Sequence, residues 1–256
     1  MKVALTFDIE SDNPNFLDTY FGVKVGLLKI LKILDTFKIK GTFFCTGRVA
    51  EQLPESIRLI ECRGHEIACH GLNHERLTNL TYQTCYETIQ QSKRLIERIC
   101  QKSEITGFRA PYLRPPKYLF KILNNLGFKY DSSIKSAKQL KNYHINNYQI
   151  QEFHPSEYSI FFRVPLSYYL LRKKIFKENL VILYFHPWEA VNMKNLVLNQ
   201  TNVFSFLKNV QFRPDRWVNT GNKFTARIIN FIREAISNKA KFSNLKQLLI
   251  EREKLV

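Results

Sequence analysis

The residues able to do chemistry gather in four short clusters. They are T-F-D-I-E at Thr6 to Glu10, H-G-L-N-H at His70 to His74, F-R-A-P-Y at Phe108 to Tyr112, and Y-F-H-P-W-E at Tyr184 to Glu189. Asp8 and Glu10 stand two apart, so on an extended segment they share a face. His70 and His74 stand four apart, and one helical turn would put both imidazoles on the same side, a geometry for a shared metal. Together they supply two imidazoles, one carboxylate to hold a metal and one carboxylate left over as a base. Three protein ligands leave positions open for water, as a catalytic metal requires. The chemistry expected is metal-assisted hydrolysis.

A rival arrangement would use Cys62, His65, Cys69 and His70 as a structural zinc knuckle. Cys69 and His70 are neighbours at a strand end and should point to opposite faces. The chain also lacks a second thiolate pair at zinc-binding spacing. His65 and His144 read as ordinary core or surface residues. The five cysteines read as free thiols, with Cys85 and Cys100 packing on a helix face.

Each cluster directly follows an apolar, strand-like run, where parallel α/β folds build their sites. Val3–Phe7, Gly41–Cys45, Glu66–Cys69, Ile105–Phe108 and Leu180–Phe185 read as strands, and Phe128-Lys129-Tyr130 leads to Asp131. Asn13-Pro14 marks a loop. Helices are expected at about Gly22–Phe37 (Leu27, Leu28, Leu31 and Leu34 on one face), Pro54–Cys62, Thr81–Cys100, Pro116–Leu126 and Lys223–Ser237, the last with Ile236 in its apolar stripe. The aromatic stretch from Tyr143 to Tyr169 reads as β-structure or long loops. This repeated alternation argues for a parallel α/β barrel, with the region after Trp217 packed around it as extra helix.

A chain of 256 residues with 45% hydrophobic content and 13% aromatics is read as one catalytic domain. Its core is expected over about residues 1–190, with a C-terminal helical extension over about 200–256. No apolar run reaches the roughly 20 residues of a membrane span. Cleaving the N-terminal strand as a leader would remove Asp8, so a cytoplasmic location is expected. The net charge of +17 suits a phosphorylated ligand or an anionic membrane surface. The lysines are scattered, with no arginine-rich arm and no zinc-finger or helix-turn-helix spacing, so specific nucleic-acid binding is not expected.

The order T-F-D, H-G-x-x-H, R-A-P-Y and a late strand-end histidine resembles the polysaccharide deacetylase family, the NodB-homology domain, from Met1 to about Trp188. The D-x-E first motif, G-F-K-Y-D-S-S at Gly127 to Ser133 and F-H-P-W-E resemble one branch of it. The resemblance implies a distorted (β/α) barrel of about seven parallel strands and metal-dependent hydrolysis of N-acetyl groups on amino sugars. It implies Asp8 as general base, Glu10, His70 and His74 as metal ligands, and Arg109 as the group orienting Asp8. His186 would be the general acid, Asp131 the residue orienting that histidine, and the Tyr112 backbone N–H an oxyanion donor. Pro111, Tyr112 and Trp188 would meet the substrate.

The expected ion is zinc, with cobalt, iron or nickel as alternatives. The expected partner is an N-acetylated sugar of a glycan or glycolipid precursor, carried on a lipid at an anionic membrane face. Two departures stand out: Ile9 separates the two acids that the family usually places side by side, and Ser132 stands where a tryptophan often follows the Asp131 position. The alternative readings are a small-amide hydrolase with little metal dependence and an inactive glycan-binding or scaffold module.

Overall fold

The computed structural model describes residues 1–12, 19–143, 145–164, 167–200 and 219–254. The Asn13-Pro14 loop, His144 and Trp217 lie outside the described residues. Strands β1 (Lys2–Ile9), β2 (Thr42–Cys45), β3 (Glu66–Cys69), β4 (Gly107–Phe108), β5 (Tyr130–Asp131), β6 (Gln151–Glu152) and β7 (Leu180–Phe185) pair in parallel in the order β6-β5-β4-β3-β2-β1-β7. The sheet curls on itself. Past β6, the Ser156 N–H donates to the Ile182 carbonyl of β7 at 2.7 Å and brings the two ends together. This is the distorted half-barrel expected from the strand–helix alternation.

Helices α1 (Leu27–Thr36), α2 (Gly47–Gln52), α3 (Pro54–Cys62), α4 (Tyr82–Ile99) and α5 (Leu119–Asn125) cover the outside. They form where apolar side chains recur every three to four residues. In α4, Cys85, Ile89, Ser92 and Ile96 are buried, and the Thr81 hydroxyl caps the first turn by accepting from the Thr84 N–H at 3.2 Å. Along β1 the period of two divides the chain between layers. Val3, Leu5, Phe7 and Ile9 face the helices, whereas Ala4, packed with Phe44, Ala68, Tyr130, Phe153 and Ile182, lies in the barrel interior. Thr6, Asp8 and Glu10 continue that inner row upward, so one alternation builds both the core and the floor of the site.

Helix α6 (Ala137–Leu140) precedes the aromatic stretch, whose described residues are mostly short helical turns, with the two-residue β6 and the start of α7 (Ser167–Ile175), in place of the expected β-structure or long loops. After α8 (Met193–Gln200), the described C-terminal residues form two helices and one short strand. Helix α9 (Asn222–Ser237) buries Phe224, Ile228, Phe231 and Ile232 in the main core. Lys241–Phe242 then forms β8, parallel to the first two residues of β1. Helix α10 (Leu245–Glu253) plugs the barrel bottom with Leu245, Leu248 and Leu249. Its first turns dock on the sheet: the Leu245 N–H donates to Thr42 Oγ1 at 2.9 Å and the Lys246 N–H to Glu66 Oε2 at 2.9 Å. Leu28 and Ile236, expected on buried faces, are exposed.

Candidate active site

The C-terminal ends of the strands open into a cleft of about 330 Å³ lined by Asp8, Glu10, His70, His74, Tyr112, Tyr184, His186, Trp188 and four cationic side chains. Backbone ladders extend past the strands to set it. The His70 N–H donates to the Cys45 carbonyl at 2.8 Å, and the Arg109 N–H to the Cys69 carbonyl at 3.0 Å.

Arg109 is fully buried inside the barrel. Its Nη1 donates to Asp8 Oδ1 at 2.7 Å and to Thr6 Oγ1 at 2.9 Å, while Nε and Nη2 donate to the Ser132 carbonyl and hydroxyl. The guanidinium lies over Phe44, 4.0 Å from the ring centre. Burial pushes the Asp8 carboxyl up, but Arg109, and more weakly His70 and His186, pull it below its usual range. Asp8 is therefore held ionised, with Oδ1 pinned.

His70 and His74 meet without a helix. Residues 70–74 form a loop in which Gly71 (φ 75°) and His74 (φ 57°) adopt left-handed backbone. The Glu75 carboxylate closes it by accepting the N–H groups of Leu72 and Asn73 at 3.1 and 2.6 Å. The ring centres end 5.3 Å apart. Cys69 faces away, its Sγ 3.3 Å from Ser92 Oγ, as strand alternation requires. His65 is a buried core residue: its Nδ1 accepts from the Gly41 N–H, its Nε2 has no hydrogen-bond partner among the described residues, and burial lowers its pKa to about 4.

Glu10, His70 and His74 offer one ligand atom each within 4.8 Å of one another. Glu10 Oε2 lies 2.6 Å from His74 Nε2 and 3.4 Å from His70 Nε2, yet among the described residues this buried oxygen has no hydrogen bond of proper geometry. His70 Nδ1 sits 2.8 Å from the Arg109 carbonyl, which fixes the proton on Nδ1 and leaves the Nε2 lone pair toward Glu10. Burial pushes Glu10 up and His70 down. Imidazoles beside Glu10 nonetheless hold it well below its usual range, and Asp8 and Glu10 raise His70 overall. The site calls for positive charge. Two imidazoles and a carboxylate converging on one point fit a divalent ion.

His186 faces the same point, with Nε2 at 3.7 Å from Glu10 Oε1 and 3.9 Å from Asp8 Oδ2. Its Nδ1 is 2.9 Å from Glu189 Oε1, and Glu189 also accepts the His186 backbone N–H at 2.9 Å. Arg163 grips Glu189 through Nε (3.1 Å) and Nη2 (3.0 Å), and its Nη2 lies 3.3 Å from His186 Nδ1. The Trp188 ring stacks on the imidazole at 5.0 Å.

This corrects the role expected of Asp131. Tyr130 and Ser132 point into the barrel, so Asp131 points out of it. Its carboxylate accepts from the Ser133 hydroxyl and N–H and neighbours Glu152 rather than His186. The last residue of H-P-W-E stands against the histidine instead; a carboxylate three residues after a strand-end His was the available signal. Pro111 is also displaced from its expected role: it is buried against Gly71 and does not line the cleft. Tyr112 does, in left-handed backbone (φ 61°), its ring 4.4 Å from His74. His74, Tyr112 and Leu113 place three strained non-glycine residues beside one cleft.

The family model described as polysaccharide deacetylase matches residues 1–130, half of the chain and four of the seven cleft-end strand positions in order. The chain belongs to the polysaccharide deacetylase family. The peptidoglycan deacetylase of Helicobacter pylori is 30% identical over 124 residues, 48% of this chain and 42% of that protein. The chitooligosaccharide deacetylase of Sinorhizobium fredii is 30% identical over 111 residues, 43% of this chain and 46% of the relative. The chain thus spans under half the length of these curated relatives. Among solved structures, one from Mycobacterium smegmatis assigned as a polysaccharide deacetylase superposes with a TM-score of 0.75 at 22% identity, covering 100% of this chain and 91% of the other. That likeness shows the fold alone.

Proposed function

We propose that the protein hydrolyses an N-acetyl group from an amino sugar of a glycan or glycolipid precursor, releasing acetate and the free amine. One observation carries this reading. Asp8 and His186 face a single cluster of Glu10, His70 and His74 from two sides of one cleft. Glu10, His70 and His74 would hold a divalent ion, zinc by the nitrogen-rich donor set. Such an ion, when bound, supplies Lewis acidity to an acetamide oxygen and eases deprotonation of water.

The chain's own groups do the rest. Asp8, ionised and pinned by Arg109, accepts the proton of the attacking water. His186 Nε2 gives a proton to the departing nitrogen, while Glu189 takes the Nδ1–H and fixes the ring's orientation. The Tyr112 backbone serves the developing oxyanion. Trp188, stacked on the His186 ring, walls the sugar. Among the described residues no helix is long and apolar enough to cross a membrane, and a lipid-borne substrate would be met at the membrane's cytoplasmic face.

Acetate release across a panel of N-acetylated sugars tests the reading. Asp8→Asn and His186→Ala should each lower turnover by about 10²–10⁴ with the circular dichroism spectrum unchanged. Wild-type rates in either variant would remove the mechanism. Activity that persists undiminished after chelation would favour the small-amide hydrolase without a metal.

A further inference from the structure

The walls of the cleft differ in character. Arg76 follows the loop after β3, Arg114 the turn after β4, and Lys135 the segment after β5, so three adjacent strands each raise one cation at the mouth. The wall from β7 is aromatic, with Tyr184 and Trp188 flanking His186. The fourth cation, Arg163, is neutralised by Glu189. The two carboxylates that line the cleft are likewise engaged, Asp8 by Arg109 and Glu10 by the imidazoles. Arg76, Arg114 and Lys135 are exposed and, among the described residues, make no ion pair; Arg76 only lies over the Tyr112 ring at 5.0 Å. Three unpaired like charges around one mouth repel one another and focus a positive potential there, which an uncharged acetamido sugar would not relieve. A general excess of lysine does not explain a wall that is two-thirds arginine, whose planar fork matches phosphate oxygens.

We propose that this wall binds a phosphate or diphosphate on the substrate, so that the acetamido sugar sits toward Trp188 and its anionic substituent toward Arg76, Arg114 and Lys135. The proposal rests on the deacetylase reading for the sugar but not for the anion. Its test is therefore binding of product-like sugars, which cannot be turned over, to the intact protein. Glucosamine 1-phosphate should bind at least tenfold tighter than glucosamine at low salt, and the ratio should shrink as ionic strength rises. Arg114→Ala and Lys135→Ala should each cut that ratio by about threefold, the scale of one exposed charge contact. Equal affinity for the two sugars, or a preference that both variants retain, would overturn the proposal. Competition by UDP-glucosamine or by a polyprenyl-diphosphate glucosamine in mixed micelles identifies a nucleotide or a lipid as the source of the anion; competition by neither counts against it. Acetate release without phosphate preference would leave the reaction standing and this inference fallen. Phosphate preference without acetate release from any sugar would do the reverse.

Discussion

Arg109 carries more of the site than any residue lining it. It ties β1 to β5 from inside the barrel and holds the proposed base by a fully buried ion pair. Replacing it with Ala leaves Asp8 buried and unpaired, so chemical denaturation should show a loss of about 3–5 kcal/mol. Arg109→Lys keeps the charge but cannot reach Thr6, Asp8 and Ser132 at once. Glu189→Gln should lower kcat about a hundredfold with KM nearly unchanged, since the ring loses its carboxylate partner but the cleft keeps its shape; an equal loss in KM would assign Glu189 to substrate binding.

A second acidic pair lies behind the barrel wall. Burial and the neighbouring Asp131 push Glu152 well above the usual carboxylate range, and burial raises Asp131 too, so the pair holds on to a proton. A carboxyl whose folded pKa is raised binds more protons folded than unfolded, so stability is full below the unfolded pKa and declines as pH rises through the folded one. Glu152→Gln should flatten that decline in a series of melting temperatures against pH. An unchanged slope would place the proton elsewhere.

Among the elements, the packing of the helical turn Gly22–Gly26, which leads directly into α1, against the His186 turn sets the site. A Cβ on Gly26 would overlap the Pro187 carbonyl, and one on Gly22 the Trp188 backbone. Gly26→Ala must therefore move Pro187, and His186 with it. Activity should fall at least tenfold, by more than any change in melting temperature accounts for. Retained activity would show that the turn can yield.

Such contacts also mark what was legible in the chain. The strands at Glu66–Cys69 and Leu180–Phe185 and the helix at Pro54–Cys62 follow from local pattern, because strand-end polar residues and Gly64 punctuate them. The loop joining His70 to His74 does not. Its shape depends on left-handed Gly71 and on a carboxylate at Glu75, which four-residue spacing alone cannot distinguish from a helical turn. Asp131 departs from the role the resemblance implies for a related reason: motif order gives position along a strand, whereas role depends on which face the residue takes.

At the scale of the whole molecule, the C-terminal segment completes the fold. The two residues of β8 carry no period to read, and α10 is recognised as a plug only once the barrel bottom exists. Leu248→Ala, which empties part of that plug, should cost about 2–5 kcal/mol. Ending the chain after Ser237 should expose the inner cluster and yield aggregated protein; a soluble, active product would show the barrel closes without it.

The central claim is that Glu10, His70 and His74 converge on one cation before Asp8 and His186. Anomalous diffraction from crystals soaked in zinc measures this directly. The account predicts one ion within about 2.0–2.2 Å of Glu10 Oε2, His70 Nε2 and His74 Nε2. A crystal whose only zinc lies elsewhere, or whose Glu10 remains without metal at saturating zinc, would contradict it.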